Sequence, residues 1–189
     1  MVIMKNSYRG FTLIELLIVL LIASTILTQA IPWFGTLVVN ANKQSAASEL
    51  VSLLNLARNT AISEGQTVTV CAINFENKCD RDWSNPIVAF RDPDRLKRIS
   101  DDRQIIRLFE PTPDGRFDAN LGIRNYLRFR SSGMAREAIG NVVWCPKSGD
   151  TRMAFQLRIN MGGRIHSSQD SDGDGIIEDT AGQPISCPS

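Results

Sequence analysis

Apolar positions change rhythm twice along the chain. Over 11–31 they run almost unbroken, with Leu16-Leu17-Ile18-Val19-Leu20-Leu21-Ile22 at the centre and Glu15 as the single charge. At about 1.5 Å per residue, a helix of that length reaches roughly 32 Å, enough to cross a hydrocarbon core of about 30 Å. Over 40–63 the run gives way to a stripe. Ala47, Leu50, Leu54, Ala57 and Ala61 are spaced three or four apart, while Lys43, Gln44, Ser48, Ser52, Asn55 and Asn59 fall mostly on other faces. Pro32 and Gly35 predict a kink between the two parts, and Gly65 predicts a C-terminal stop. The pattern therefore describes one long helix: a transmembrane half over 11–31 and an amphipathic half over 32–64 that packs on a domain.

Beyond Gln66 the period falls to two. Thr67-Val68-Thr69-Val70-Cys71-Ala72-Ile73 is rich in β-branched residues and predicts a strand. Further strands are expected at 87–91, 105–109, 125–130, 141–144, 153–159 and 163–166. Turn signals separate them, among them Asp92-Pro93-Asp94, Pro111-Thr112-Pro113-Asp114-Gly115, Ser131-Ser132-Gly133 and Met161-Gly162-Gly163. No repeat or low-complexity linker interrupts 65–189, which reads as one β-rich domain. The fold class is α+β, a long N-terminal helix packed on an antiparallel sheet.

Charge and composition narrow the chemistry. In 189 residues, 21 basic and 20 acidic side chains leave a net charge of +1, which excludes a strongly basic nucleic-acid binder of histone type. No nucleophile elbow, His-Glu-x-x-His, phosphate-cradling glycine loop or dinucleotide fingerprint is present. His166 is the lone imidazole and reads as a surface residue at a strand end; Asp101-Asp102 beside Arg103 reads as a solvated loop. No reaction can be assigned, and the chain reads as a non-enzyme.

The N-terminus is more informative. Lys5 and Arg9 are the only charges before the apolar run and predict a cytoplasmic N-terminus, with all that follows the span outside the inner membrane. A cleavable signal peptide ending at Thr28-Gln29-Ala30 and a plain signal anchor both fit the hydropathy. Neither explains Glu15, because a carboxylate within a membrane helix costs about 2.5–3.5 kcal/mol on insertion scales. Gly10-Phe11-Thr12-Leu13-Ile14-Glu15, behind a short basic leader, resembles the N-terminal signature of type IV prepilins and type II secretion pseudopilins. The resemblance implies a leader peptide over 1–10, cut after Gly10 by a prepilin peptidase that methylates Phe11. It also implies that Glu15 pairs with the terminal amine of a neighbouring subunit, an attraction that low dielectric strengthens.

Cys71, Cys79, Cys145 and Cys187 all lie beyond the apolar run, where an oxidising compartment permits disulfides. Four thiols allow three pairings. Cys71–Cys79 is the natural local bridge, and Cys145–Cys187 then ties the C-terminal tail back to the domain. A zinc site is the rival reading, with no Cys-x-x-Cys and one His to support it; four free thiols would need a reducing compartment.

Two clusters suggest ligands. Asp170-Ser171-Asp172-Gly173-Asp174-Gly175 has the alternating carboxylates and sixth-position glycine that open a calcium loop, although the twelfth position is Ala181. Glu178 or Asp179 could replace the missing acid only in a different loop geometry, and a solvated acidic turn is the simpler reading. Between Arg91 and Arg136 there are 11 basic and 7 acidic residues. Arg128 and Arg130, two apart on an expected strand, share a face that suits phosphates or a neighbouring subunit.

The layout resembles the FimT/FimU group of minor pilins, which is similar to the type II secretion pseudopilin H, specifically over 5–65 and more loosely beyond. Trp144-Cys145-Pro146 and Gly163-Arg164 belong to the looser part. The resemblance implies a low-abundance subunit that helps to prime a type IV pilus or a secretion pseudopilus, with other pilins, the prepilin peptidase and the inner membrane as partners. Some FimT proteins bind DNA through Gly-Arg-x-Arg. Here Gly163-Arg164-Ile165-His166 carries histidine in place of the second arginine, and an acidic run begins at Asp170. DNA uptake is thus the alternative function, with Arg164, His166, Arg128 and Arg130 as its candidate residues.

Overall fold

The computed structural model describes residues 11–187 apart from 137–138, and for 29–33 it describes the backbone only. The leader 1–10, with Gly10, lies outside the described residues. The described residues divide into two units, with the boundary between Val38 and Val39.

One helix, α1 (Leu13–Ser63), passes from the first unit into the second. Neither Pro32 nor Gly35 ends it. Its stop is set by Gly65, whose φ of +66° is a left-handed conformation that costs glycine little. Within the second unit the buried stripe is wider than the spacing alone suggests. Ala46 and Leu53 join Leu50, Leu54, Ala57 and Ala61, while Ala47 is half-buried. Leu50, Leu53 and Leu54 are wholly buried, each worth about 1.5–3 kcal/mol.

Two antiparallel sheets complete the unit. The first contains β1 (Val68–Ile73), β2 (Cys79–Asp80), β3 (Ile87–Arg91), β4 (Ile105–Phe109) and β6 (Leu127–Phe129), in the order β2-β1-β3-β4 with β6 also pairing β1. The second contains β5 (Gly115–Asn120), β7 (Gly140–Pro146), β8 (Phe155–Ile159) and β9 (Ile165–Ser167), in the order β5-β7-β8-β9. The main core joins α1 to both sheets: Leu50, Leu54 and Ala57 meet Val68 and Val70, Leu127 and Phe129, Trp144 and Phe155. Trp144 stacks on Phe155 at 5.8 Å, and Phe117 meets Phe155 edge-on.

β5 falls where the sequence suggests only a turn and polar connection. Its inward positions Gly115, Phe117 and Ala119 alternate with exposed Arg116, Asp118 and Asn120, but one large apolar residue is too weak a signal to stand out. The expected strand at 125–130 contracts to β6, and that at 163–166 shifts to β9.

The first sheet is covered on both faces. Opposite α1, Cys71, Val88, Phe90, Ile99 and Tyr126 form a second core beneath the loop that follows β3. The disulfides staple each sheet once. Cys71–Cys79 closes the β1–β2 turn and Cys145–Cys187 ties the C-terminal tail to β7; among the described residues no cysteine is free.

Candidate functional site

The N-terminal site begins with a cap. Thr12 precedes α1, its Oγ1 accepting a hydrogen bond from Glu15 N at 3.3 Å and its carbonyl one from Leu16 N at 3.2 Å. Glu15 lies in the first helical turn, where the positive end of the helix dipole favours a carboxylate. Phe11 is 84% exposed. Every position from 11 to 28 is exposed, and the apolar ones, from Leu13 through Ile22 to Leu27, lie on all sides of the helix. A helix apolar all round is stable only inside lipid or among other apolar helices. The expected span 11–31 reaches into 29–33, whose side chains are not described, and among the described residues no helix is long and apolar enough to cross a membrane.

The candidate basic residues separate into different environments. Arg128 requires a correction: it does not offer its charge to a phosphate. Its side chain is 4% exposed, and its Nη2 donates to Asp92 Oδ2 at 3.1 Å, with Asp92 2% exposed. Nε donates to Thr69 Oγ1 at 3.2 Å, and the guanidinium lies 4.5 Å from the centre of the Tyr126 ring. Thr69 pairs with Arg128 across β1 and β6, so register alone places these groups together. Arg130, beyond the end of β6, is half-buried in the turn closed by Gly133 N donating to its carbonyl.

Arg164 and His166 belong to the other sheet. Both are exposed on the β8–β9 hairpin, where His166 pairs in register with Arg158 and its Nε2 lies 3.4 Å from Asn160 Nδ2. Gly163 has a packing role. A Cβ there would lie 2.0 Å from Gly133 O, and its φ is +71°. Arg58 of α1 donates through Nε to that same Gly133 carbonyl at 3.0 Å, so helix, turn and hairpin close on one point.

In the C-terminal tail Asp170, Asp172, Asp174 and Glu178 bring one carboxylate oxygen each to within 4.8 Å of one another. The three aspartates are those of the expected calcium-loop pattern, and Glu178 is one of the two acids that could stand in for its missing twelfth-position ligand. Asp92 lies in a turn signal, which predicts exposure, yet it is buried.

Residues 5–28 match the family model for the prokaryotic N-terminal methylation motif. Among solved structures, the type IV minor pilin FimU of Pseudomonas aeruginosa PAO1 is similar in two crystal forms. One has a TM-score of 0.51 at 21% identity, covering 67% of this chain and 92% of FimU. The other has 0.53 at 20%, covering 77% and 94%. The minor pseudopilin EpsH of the Vibrio cholerae type II secretion system has a TM-score of 0.50 at 15% identity, covering 68% and 97%. These likenesses are in fold; no curated protein matches in sequence. The chain thus has a pilin-like fold behind a prepilin-type N-terminal methylation motif. Residues 46–163 match the model described as type II transport protein GspH, and the chain belongs to that family.

Proposed function

We propose that the chain is a non-catalytic minor subunit that helps to assemble or prime a type IV pilin-like filament, either a pilus or a type II secretion pseudopilus. The observation that carries this reading is the helix over 13–28, apolar on every side and exposed, with Glu15 in its first turn. Lipid satisfies such a surface before assembly, with the N-terminus cytoplasmic and the β-rich unit across the inner membrane. Neighbouring pilin helices satisfy it afterwards. Cleavage after Gly10 by the prepilin peptidase frees the Phe11 amine, a cation that Glu15 of an adjacent subunit can pair with in low dielectric.

DNA capture is less well supported. Arg128 is bound to Asp92 inside the domain, and Arg164 and His166 are followed by an acidic tail. Epitope-tagged chain, expressed with its own filament genes, tests the assembly reading. The wild type should appear in the sheared filament fraction, whereas Gly10→Val and Glu15→Ala should remain with the membrane, the former uncleaved by mass spectrometry. Equal incorporation of Glu15→Ala overturns the docking role.

A further inference from the structure

We propose that the C-terminal tail holds one calcium ion, with Asp170, Asp172, Asp174 and Glu178 as its carboxylate ligands. Calcium–oxygen bonds of about 2.3–2.6 Å place the ligand atoms around one ion no more than about 5 Å apart. One oxygen from each of these four side chains satisfies that limit, all lying within 4.8 Å of one another. Four carboxylates this close repel one another, and between Asp170 and Ser189 there is no Lys or Arg to offset them.

Acidic turns are common without a metal, and the three aspartates are exposed. Glu178 is different. It is 6% exposed, and although Oε2 accepts from Ser171 N at 2.7 Å, Oε1 is sealed from solvent with no hydrogen-bond partner. A buried carboxylate oxygen without a partner is costly, and this carboxylate turns into the ring of aspartates. A divalent cation supplies the missing partner and neutralises the ring in one step.

The sequence positions agree with the chemistry. Counting from Asp170, the acids fall at the first, third, fifth and ninth positions and Gly175 at the sixth, the order in which a calcium loop places its ligands and its sharp turn. Glu178, at the ninth, is the direct acidic ligand here and answers the missing twelfth-position acid. All-oxygen coordination by several carboxylates in a loop suits calcium; magnesium is smaller, keeps its waters and is held by one or two carboxylates. Three exposed ligands place the affinity in the weak range of extracellular modules, about 10⁻⁴–10⁻³ M.

The ion has something to fix. Ile176 and Ile177 leave the loop to pack on Cys145, Ala154 and Ile185, a small core beside the Cys145–Cys187 bridge. Calcium thus locks the tail onto the second sheet.

Full-length protein in detergent, stripped with EDTA, is titrated calorimetrically with calcium chloride or magnesium chloride, beside Asp172→Asn and Glu178→Gln. The expected result is one calcium site, at least about tenfold weaker magnesium binding, and at least about tenfold weaker calcium binding in both variants. Asp172 is exposed, so its variant keeps the test intact if Glu178→Gln fails to fold. No binding heat up to about 10 mM calcium, equal magnesium affinity, or unchanged affinity in Asp172→Asn overturns the site.

Discussion

Arg128 and Asp92 form a buried ion pair, 3.1 Å apart and almost wholly sealed from solvent, on the face of the first sheet turned away from α1. Asp92 does more than neutralise the arginine. Its Oδ1 accepts from Leu96 N at 2.7 Å and its Oδ2 from Thr69 Oγ1 at 2.8 Å and Lys97 N at 3.2 Å. Arg95 and Lys97 in the same loop have φ of 60° and 58°, a left-handed conformation that non-glycine residues adopt at a cost. The carboxylate holds that loop shut over Tyr126 and Phe90.

Removing one partner should therefore be severe. Arg128→Ala leaves the Asp92 charge buried and uncompensated, and a loss of about 3–5 kcal/mol is expected from urea denaturation. Thr69→Val, which keeps the shape and leaves the ion pair in place, should cost about 1–3 kcal/mol. If Arg128→Ala is as stable as wild type, the pair is not holding the loop.

Gly163 and Arg164 are adjacent in sequence and should respond oppositely. Gly163→Ala puts a methyl 2.0 Å from Gly133 O at a φ of +71°, so backbone must move. The expected cost is more than about 1–3 kcal/mol, with a clear fall in melting temperature. Arg164→Ala removes an exposed side chain and should stay within about 0.5 kcal/mol. The pair of variants separates the glycine's packing role from any binding role of the arginine.

How much of this was legible from residues alone follows from the redundancy of each signal. The long helix repeats its period over many turns, so α1 and its buried stripe stood out, and compartment logic with spacing pointed to both disulfides. β5 did not stand out, because only Phe117 among its residues is large and apolar. Arg128 shows a deeper limit. Alternation places Thr69 and Arg128 on the face opposite the helix, and that reading treats such a face as solvent. Here an irregular loop covers it, and no periodicity in the sequence reports which sheet face a loop will bury. The acidic tail was visible as composition, whereas the approach of Glu178 to the aspartates depends on the fold.

Acid sensitivity should carry a specific contribution from Glu64. Arg91 binds its carboxylate with two hydrogen bonds of 2.6 Å, and these hold its pKa at about 2, below the usual 4.5. A depressed carboxylate pKa stabilises the fold above the unfolded value, and that contribution is lost as pH falls from about 4.5 through about 2. Glu64→Gln should therefore flatten the wild-type loss of stability within this window and lower stability at neutral pH. Parallel acid titrations followed by circular dichroism check it. Identical slopes for the two proteins would mean that this exposed pair is broken in solution.

The two disulfides differ in the length of chain they close, and that difference predicts which matters more. Cys71 and Cys79 are 8 residues apart, Cys145 and Cys187 are 42 apart. Loop entropy in the unfolded chain gives about 2.5 kcal/mol for the first and about 4 kcal/mol for the second. Serine at both ends of the longer bridge should thus cost over 1 kcal/mol more than the same change at the shorter one, measured by urea unfolding without reductant. The longer bridge also anchors the tail beside Ile176, Ile177 and Ile185, so its removal should expose that segment to limited proteolysis. A larger loss from the short bridge would place the dominant effect in the folded state, in the packing of Cys71 against Val88 and Phe90, and not in the entropy of the unfolded chain.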